Sequence, residues 1–558
     1  MNTNYYIWIY SLYHMIKHTL VLCAAAAVLC GCNKNNPTAG PITSEDIKSH
    51  IAVLANDSLL GRKPFTKGED KAIQYISQQF KEAGLEPGNN GSYFQDVPMV
   101  EIKATPSKTL DVSGKATFSL QNGTDFVVFS RQEKADISLD HTPIIFAGYG
   151  VVAPEYHWND YAGLDVKGKI VLVLVNDPGF KSGESKLFKG DTMTYYGRWT
   201  YKFEEAARQG AAGVLIVHQT EPASYPWSVV SSSNSGSRLY LRQANKHFDR
   251  CQLEGWVSEE AAKKLLAAAG INGDFRALAR MREFKAVPLG ITAKVSLHNQ
   301  LRYSTSHNVV GLLKGNTNPN EYIIYTAHWD HFGIGKPDAK GDSIYNGAVD
   351  NADGSATLIS MAKAFANAKN KPGRSILFLA VTAEEQGLLG SEYYATHPIF
   401  PLNKTVANLN MDALGDYGET KDVAITGKGQ NDLDDYIEKY AKEDGLTVVG
   451  DSRPGAGSYY RSDHFNFAKV GVPALDMNNG LISKTHDANW AKQHQEDYVA
   501  HHYHQPSDNY SSDMDATGMA QIANLLYRLG YELSNETTFP GWKAGSEFKA
   551  VRDKAMAH

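Results

Sequence analysis

The chain has 558 residues, enough for two or three domains. Its composition, 42% hydrophobic and 21% charged, is that of an ordinary globular protein. A formal net charge of -6 with no Lys/Arg-rich run excludes an electrostatic nucleic-acid binder, and Cys251, alone beyond the first 32 residues, excludes a disulfide framework for the folded part.

Lys17 and His18 precede an apolar run from Thr19 to Leu29, which Leu29-Cys30-Gly31-Cys32 closes. That run is too short to span a bilayer and reads as a secretory signal over 1–32. Leu-x-Gly-Cys resembles the bacterial lipobox. The resemblance implies that Cys32 is lipidated and becomes the mature N-terminus, in the bacterial cell envelope. Asn33 at the next position, rather than Asp, favours a periplasmic lipoprotein anchored in the outer membrane, with the lipid as its only membrane contact. A plain cleaved signal or a buried apolar helix is the alternative, and both Met1 and Met15 stand as starts. Residues 33–42 form a polar tether.

Thr43 or Ser44 caps a helix containing Ile47, Ile51, Val53 and Leu54. A second helix runs from Lys67 to Ala83 with Ala72, Ile73, Ile76 and Phe80 on one face, and Gly84 ends it. Residues 43–130 form the first part of the main domain. Over 131–285, strand-like runs (Pro143 to Tyr149, Lys169 to Val175, Val214 to His218) alternate with loops, and one helix covers Tyr201 to Gln209. From 286 to 540, strands alternate with helices at Ser355 to Ala366, Asp432 to Ala441 and Ala516 to Leu533. A tail occupies 541–558. Such alternation predicts an α/β fold, a mixed, mostly parallel sheet flanked by helices.

In such sheets ligands bind beyond the carboxyl ends of the strands. His328 follows the run Tyr322 to Ala327, Glu384-Glu385 follow Ser375 to Ala383, and Asp412 follows Val406 to Met411. Asp350 lies in a turn-rich stretch before the Ser355 helix, where Asp353 and Ser355 suit the capping role and leave Asp350 free. His504 precedes the last long helix. Two imidazoles and these carboxylates are the donors that zinc takes. Asp330, two residues past His328, is placed to accept the second ring N–H of that histidine. Two adjacent glutamates at a buried strand end require a compensating cation, and one of them, left unbound, suits a general base.

The order His-x-Asp, Gly-Ala-x-Asp-Asn, Glu-Glu-x-Gly-x-x-Gly-Ser, Asn-x-Asp, Ser-Asp-His and Tyr-His-x-Pro-x-Asp resembles the di-zinc aminopeptidases of metallopeptidase family 28. Gly61-Arg62 and the Gly-x-Asp-Lys-Ala pattern at Gly68 to Ala72 extend the likeness. Phe146 to Gly150, Val166 to Val171 and Ala206 to Val214 are similar to the protease-associated (PA) domain, a β-rich module inserted into many peptidases. The resemblance implies a zinc-exopeptidase fold of the phosphorylase/hydrolase-like type, with two Zn2+ per chain. Asp350 would bridge them, with His328 and Asp412 at one site, Glu385 and His504 at the other, and Glu384 as base. It further implies an oxyanion role for Tyr459, with Tyr460 an open alternative, and a cis peptide after Asp350. The implied activity is aminopeptidase hydrolysis of peptides with a free N-terminus by a two-metal activated water. The alternatives are a carboxypeptidase or dipeptidase of the family, with Arg461 near the site, a glutaminyl cyclase, and a non-catalytic receptor-like protein. His331, His464, His486, His494, His501 and His502 are read as structural or rim residues. Ile482 to Tyr503 is expected to be an irregular, lid-like insertion.

Overall fold

The computed structural model describes residues 42–557 except residue 235. The expected signal with Cys32, and residues 33–41 of the tether, lie outside them.

Helix α1 (Ser44–Leu54) begins where the Thr43 hydroxyl accepts the Asp46 N–H, and it buries Ile47, Ile51 and Leu54. Helix α2 (Lys67–Glu82) is strongly amphipathic, burying Ala72, Ile73, Ile76 and Phe80, and Gly84 follows it at φ +84. Between the two helices the backbone turns left-handed at Leu60, Gly61 and Arg62 (φ 52, 65 and 48). A Cβ on Gly61 would stand 2.5 Å from the Tyr345 carbonyl oxygen and 2.6 Å from that of Gly333. Only glycine lets this segment pass so close beneath the loops of the later sequence.

The chain then builds the insert. After β1 (Phe94–Pro106) come β2 (Phe126–Phe129), β3 (Asp136–Phe146), β4 (Ile170–Leu174), α3 (Trp199–Arg208), β5 (Gly213–Val217) and β6 (Leu253–Val257). Strands β3, β4, β5 and β6 run parallel in that order, and β2 closes the edge antiparallel to β6. Alternate side chains of β4 and β5 enter two different cores: Leu172, Leu174, Leu215 and Val217 one, Val171, Val173, Val214 and Ile216 the other. A 27-residue strand, β7 (Val287–Leu313), leads out of the insert. Its first half contributes Leu289, Ile291, Ala293, Val295 and Leu297 to the insert's core, and its end carries Val309 into the main one.

The main sheet continues with β8 (Asn318–His328), α4 (Asp353–Ala366), β9 (Arg374–Val381), β10 (Thr405–Asn410), β11 (Asp422–Ile425), α5 (Leu433–Glu443), β12 (Thr447–Gly450) and β13 (Ala474–Asn479). Strands β9, β8, β10 and β13 are parallel neighbours. At one edge β7 pairs antiparallel with β9, and at the other β11 pairs antiparallel with β13. Every residue of β9 is buried. Ile376, Phe378 and Ala380 face α1, α2 and α4, and Leu377, Leu379 and Val381 face the opposite core. This is the α/β architecture, mixed and mostly parallel, that the alternation of elements predicted.

Two differences have clear causes. The insertion expected to be irregular holds helix α6 (Trp490–His501), which buries only Ala491 and so leaves no apolar stripe in the sequence. The C-terminal stretch is anchored over 541–557: Trp542 and Phe548 are buried in the core that Leu377, Leu379 and Val381 face, and Glu547 reaches the insert at Lys189, 2.9 Å away. Helix α7 (Thr517–Asn535) packs on the sheet before it.

Gly61→Ala is expected to lower stability by at least about 1–2 kcal/mol, the cost of a left-handed L-residue alone. Equilibrium denaturation of wild type and variant checks this; equal midpoints would show that the backbone there yields freely.

Candidate metal centre

Because β9, β8 and β10 are parallel, their carboxyl ends lie at one edge of the sheet. His328 is the last residue of β8, and Asp412 and Glu384 stand just beyond β10 and β9. The backbone is left-handed at Ala383, Ala413 and His504 (φ 52, 51 and 59), turns that aim the flanking side chains back over the sheet. The Asp350–Asn351 peptide leading into α4 is cis.

All six expected side chains converge. His328 Nε2 lies 3.3 Å from Asp350 Oδ1 and 3.3 Å from Asp412 Oδ1. His504 Nε2 lies 3.1 Å from Asp350 Oδ2 and 3.3 Å from Glu385 Oε2. Asp350 thus offers one oxygen to each histidine. Two ligands of one tetrahedral zinc, at about 2.0–2.2 Å from the ion, are separated by about 3.3 Å. The four contacts match that edge. Glu384 Oε2, 3.9 Å from His328 Nε2, lies outside it. The donor set and spacing fit a metal at two adjoining positions.

The electrostatics agree. Burial holds the Glu384 and Glu385 carboxyls well above their usual range, and neighbouring carboxylates push them further. Against the same burial, hydrogen bonds to His328 and His504 hold Asp350 well below it. His328 is desolvated, yet the Glu384 and Asp412 carboxylates raise it well above a free imidazole. Anionic charge gathered away from water demands cations. The fixed one is Arg62, 1% exposed, which donates to the carbonyls of Leu54, Trp329, Asn346 and Gly347 and so ties the loops of His328 and Asp350 together.

Supporting contacts refine the expectations. Asp330 was expected to receive the second ring N–H of His328 on its carboxylate. Its backbone carbonyl takes that position instead, 3.2 Å from Nδ1, while the carboxylate stands 3.7 Å away and accepts the Glu384 N–H at 3.0 Å. Asp353 and Ser355 do not cap α4: Asp353 accepts the Gly415 N–H and the Ser355 hydroxyl donates to the His328 carbonyl. Asp508 accepts the N–H groups of Val349 and Asp350 at 3.0 and 3.1 Å, and the Ser462 hydroxyl donates to Asp412 Oδ2 at 2.5 Å.

Tyr459 is buried with an unpaired hydroxyl whose charged neighbours are Glu547, Asp434 and Asp476, none of them in the cluster. The Tyr460 hydroxyl donates to Met193 O and Glu547. The tyrosine brought to the site is Tyr503, stacked on His504 at 3.8 Å, its hydroxyl raised first by burial and then by Asp350, Glu385, Glu384 and Asp412. Its only signal in the sequence was adjacency to His504. His331, expected at the rim or in a structural role, is 1% exposed and touches Glu385 at 2.6 Å.

Glu384, Glu385, Tyr503 and His504 line a cavity of about 270 Å³ whose other walls carry Arg131, Arg198, Arg238 and Arg250 from the insert, with Arg461. Arg131 is paired with Glu254. Among the described residues no carboxylate lies within 4.0 Å of the other four guanidinium groups, and burial followed by the charge of Arg461 lowers Arg198 to about 10.

An α/β sheet carrying a histidine–carboxylate cluster at the carboxyl ends of its parallel strands is a fold of the zinc-exopeptidase type with a candidate metal site. Residues 308–529 match the model of Peptidase family M28, and residues 143–244 match the PA domain. The two matches fall on separate parts of the chain, the first holding the cluster and the second within the insert. It is 36% identical over 130 residues to Aminopeptidase NAALADL1 of Mus musculus, covering 22% of this chain and 16% of that protein. It is 23% identical over 439 residues to the Glutamate carboxypeptidase 2 homolog of Caenorhabditis elegans, covering 67% and 51%. The chain spans about half or less of the length of these curated relatives. Among solved structures it is similar to an aminopeptidase from Aneurinibacillus sp. strain AM-1, with 20% identity, TM-score 0.48, and 88% and 94% of the two chains covered.

Proposed function

We propose that the chain is a zinc-dependent exopeptidase, an aminopeptidase holding two zinc ions per chain. The observation that carries this reading is Asp350, whose two oxygens face two different imidazoles at the edge length of a zinc tetrahedron. His328, Asp350 and Asp412 would hold one ion, and Asp350, Glu385 and His504 the other. When bound, the ions supply Lewis-acid polarisation of the scissile carbonyl and a more acidic water. Glu384, beside both positions and outside the ligand edges, takes a proton from the attacking water on its carboxylate and returns it to the leaving amine. Burial suits it to that task, because it raises the basicity of the carboxylate. The Tyr503 hydroxyl, kept protonated first by burial and then by the nearby carboxylates, is the donor available to a developing oxyanion, in place of Tyr459. The same reading keeps 131–285 as the inserted domain between 43–130 and 286–540, and Cys32 as a lipid anchor in the bacterial outer membrane.

The second reading is a carboxypeptidase or dipeptidase acting on acidic peptides. Arg198, Arg238, Arg250 and Arg461 favour it, four guanidinium groups without carboxylate partners in the cavity that meets Glu384. A panel of aminoacyl anilides and N-acetylated acidic dipeptides separates the two. Cleavage that requires a free α-amine supports the aminopeptidase. Turnover of the acetylated dipeptides, with KM raised by Arg198→Met, establishes the carboxypeptidase.

Glu384→Ala is expected to retain both metals while turnover falls by about 10²–10⁴-fold, the usual contribution of a general base. Glu385→Ala is expected to lose one zinc, with partial rescue in excess metal. Zinc content and turnover of both variants check this, and loss of zinc from Glu384→Ala alone would reverse the two roles. Cys32→Ser is expected to abolish partitioning with membranes; unchanged membrane association on fractionation would sink the lipid anchor.

A further inference from the structure

His331 lies against the cluster, close enough to Asp350 and Glu385 for the three to share a metal ion, yet it makes none of the four 3.1–3.3 Å contacts described above. Its ring is buried, Nδ1 is 2.6 Å from Glu385 Oε1, and Nε2 has no hydrogen-bond partner. The four contacts among His328, Asp350, Asp412, Glu385 and His504 measure 3.1–3.3 Å, the separation of two ligands around one zinc ion. At 2.6 Å, the His331–Glu385 pair is too close for two ligands of a common tetrahedral ion. It is the distance of a strong N–H···O hydrogen bond to a carboxylate.

We propose that His331 is a positioning residue: Nδ1–H holds Glu385 Oε1 and thereby dedicates Oε2, the oxygen 3.3 Å from His504 Nε2, to the second metal position. The ring's own setting is fixed. The His331 N–H donates to the Arg62 carbonyl at 3.4 Å, and the ring covers Gly347, where a Cβ would approach it to 2.7 Å. Gly347 is itself left-handed at φ +54 and leads into the Asp350 loop. A carboxylate oxygen only accepts, so the 2.6 Å contact places the ring N–H at Nδ1. Without that bond Glu385 is free to turn either oxygen, or both, toward a cation, and the geometry of one site is lost. A hydrogen bond to the far oxygen of a metal-binding carboxylate is typically worth 10–100-fold in metal affinity.

The inference rests on the two-metal reading, and the experiment separates their failures. Zinc affinity is measured on the full protein by chelator competition for wild type, His331→Asn, His331→Gln, His331→Leu and Glu385→Ala, with apo-protein melting as the fold control. The visible spectrum of the cobalt-substituted forms reports ligand geometry. Asn places an amide N–H near the imidazole Nδ1, and Gln places one near Nε2. His331→Asn is expected to bind zinc within a few-fold of wild type and to keep the cobalt spectrum. His331→Gln and His331→Leu are expected to lose about 10–100-fold at one site only. Wild-type affinity at both sites in folded His331→Leu overturns the proposal. So does equal loss in Asn, Gln and Leu with a cobalt spectrum missing a nitrogen ligand, which would make His331 a ligand itself. If Glu385→Ala also binds both ions normally, the two-metal reading fails and the inference falls with it.

Discussion

The constraint on which the rest of the structure depends is the crowding of Asp350, Glu384, Glu385 and Asp412 at the end of a sheet whose strands are buried on both faces. Four carboxylates in such a place repel one another and have given up much of their hydration. The fold reaches that arrangement because three parallel strands end at one edge, and each loop turns back sharply over it. Charge compensation then decides what the site is. Two imidazoles and one buried guanidinium oppose the four acids, and the histidine–carboxylate spacings are those of a metal's coordination shell rather than of tight ion pairs. A cluster built only for stability would pair each imidazole with a single carboxylate. Here His328 and His504 each stand between two.

Arg62 shows how a distant part of the sequence enforces this. Its guanidinium collects the carbonyls of Trp329, Asn346 and Gly347, the backbone immediately beside His328 and before Asp350. The geometry is available because Gly61 passes through a left-handed conformation in a space that admits no Cβ. Such a contact does two things at once. It fixes the separation of two ligand loops by hydrogen bonds whose direction a planar fork dictates, and it places a permanent positive charge behind the acids. Lysine at this position would keep the charge and lose the fork.

The mostly parallel sheet, most of its helices and the strand-end positions of His328, Glu384, Glu385 and Asp412 were legible because each signal is local. Buried parallel strands appear as apolar runs, and a ligand at the end of such a run stands in a turn where an acid has no packing reason to be. Element ends moved by only a few residues: the helix expected from Ser355 begins at Asp353, and the strand expected to end at Ala327 includes His328. What stayed hidden depends on the third dimension. His331 sits beside a ligand in sequence, but its partner Glu385 arrives from another strand. Tyr459 holds the expected register, yet its hydroxyl points into a different neighbourhood, and Tyr503 takes the place facing the acids. Asp353 and Ser355 suit a helix cap by type, but their side chains bond to Gly415 and His328, which arrive from other elements. Helix α6 was invisible because it buries one residue.

The insert adds a second electrostatic feature that no stretch of sequence announces. Arg198, Arg238 and Arg250 lie up to 52 positions apart along the chain, and only the folded insert brings them to the cavity that Glu384 and Glu385 also line. One cavity thus carries both acidic and basic side chains. At physiological ionic strength charges interact over about 8 Å. A short peptide is itself a dipole with an ammonium at one end and a carboxylate at the other. Under the function proposed above, the amine would be drawn to the acids and the carboxylate to the arginines, so the charges that support the second reading would also favour acidic substrates under the first.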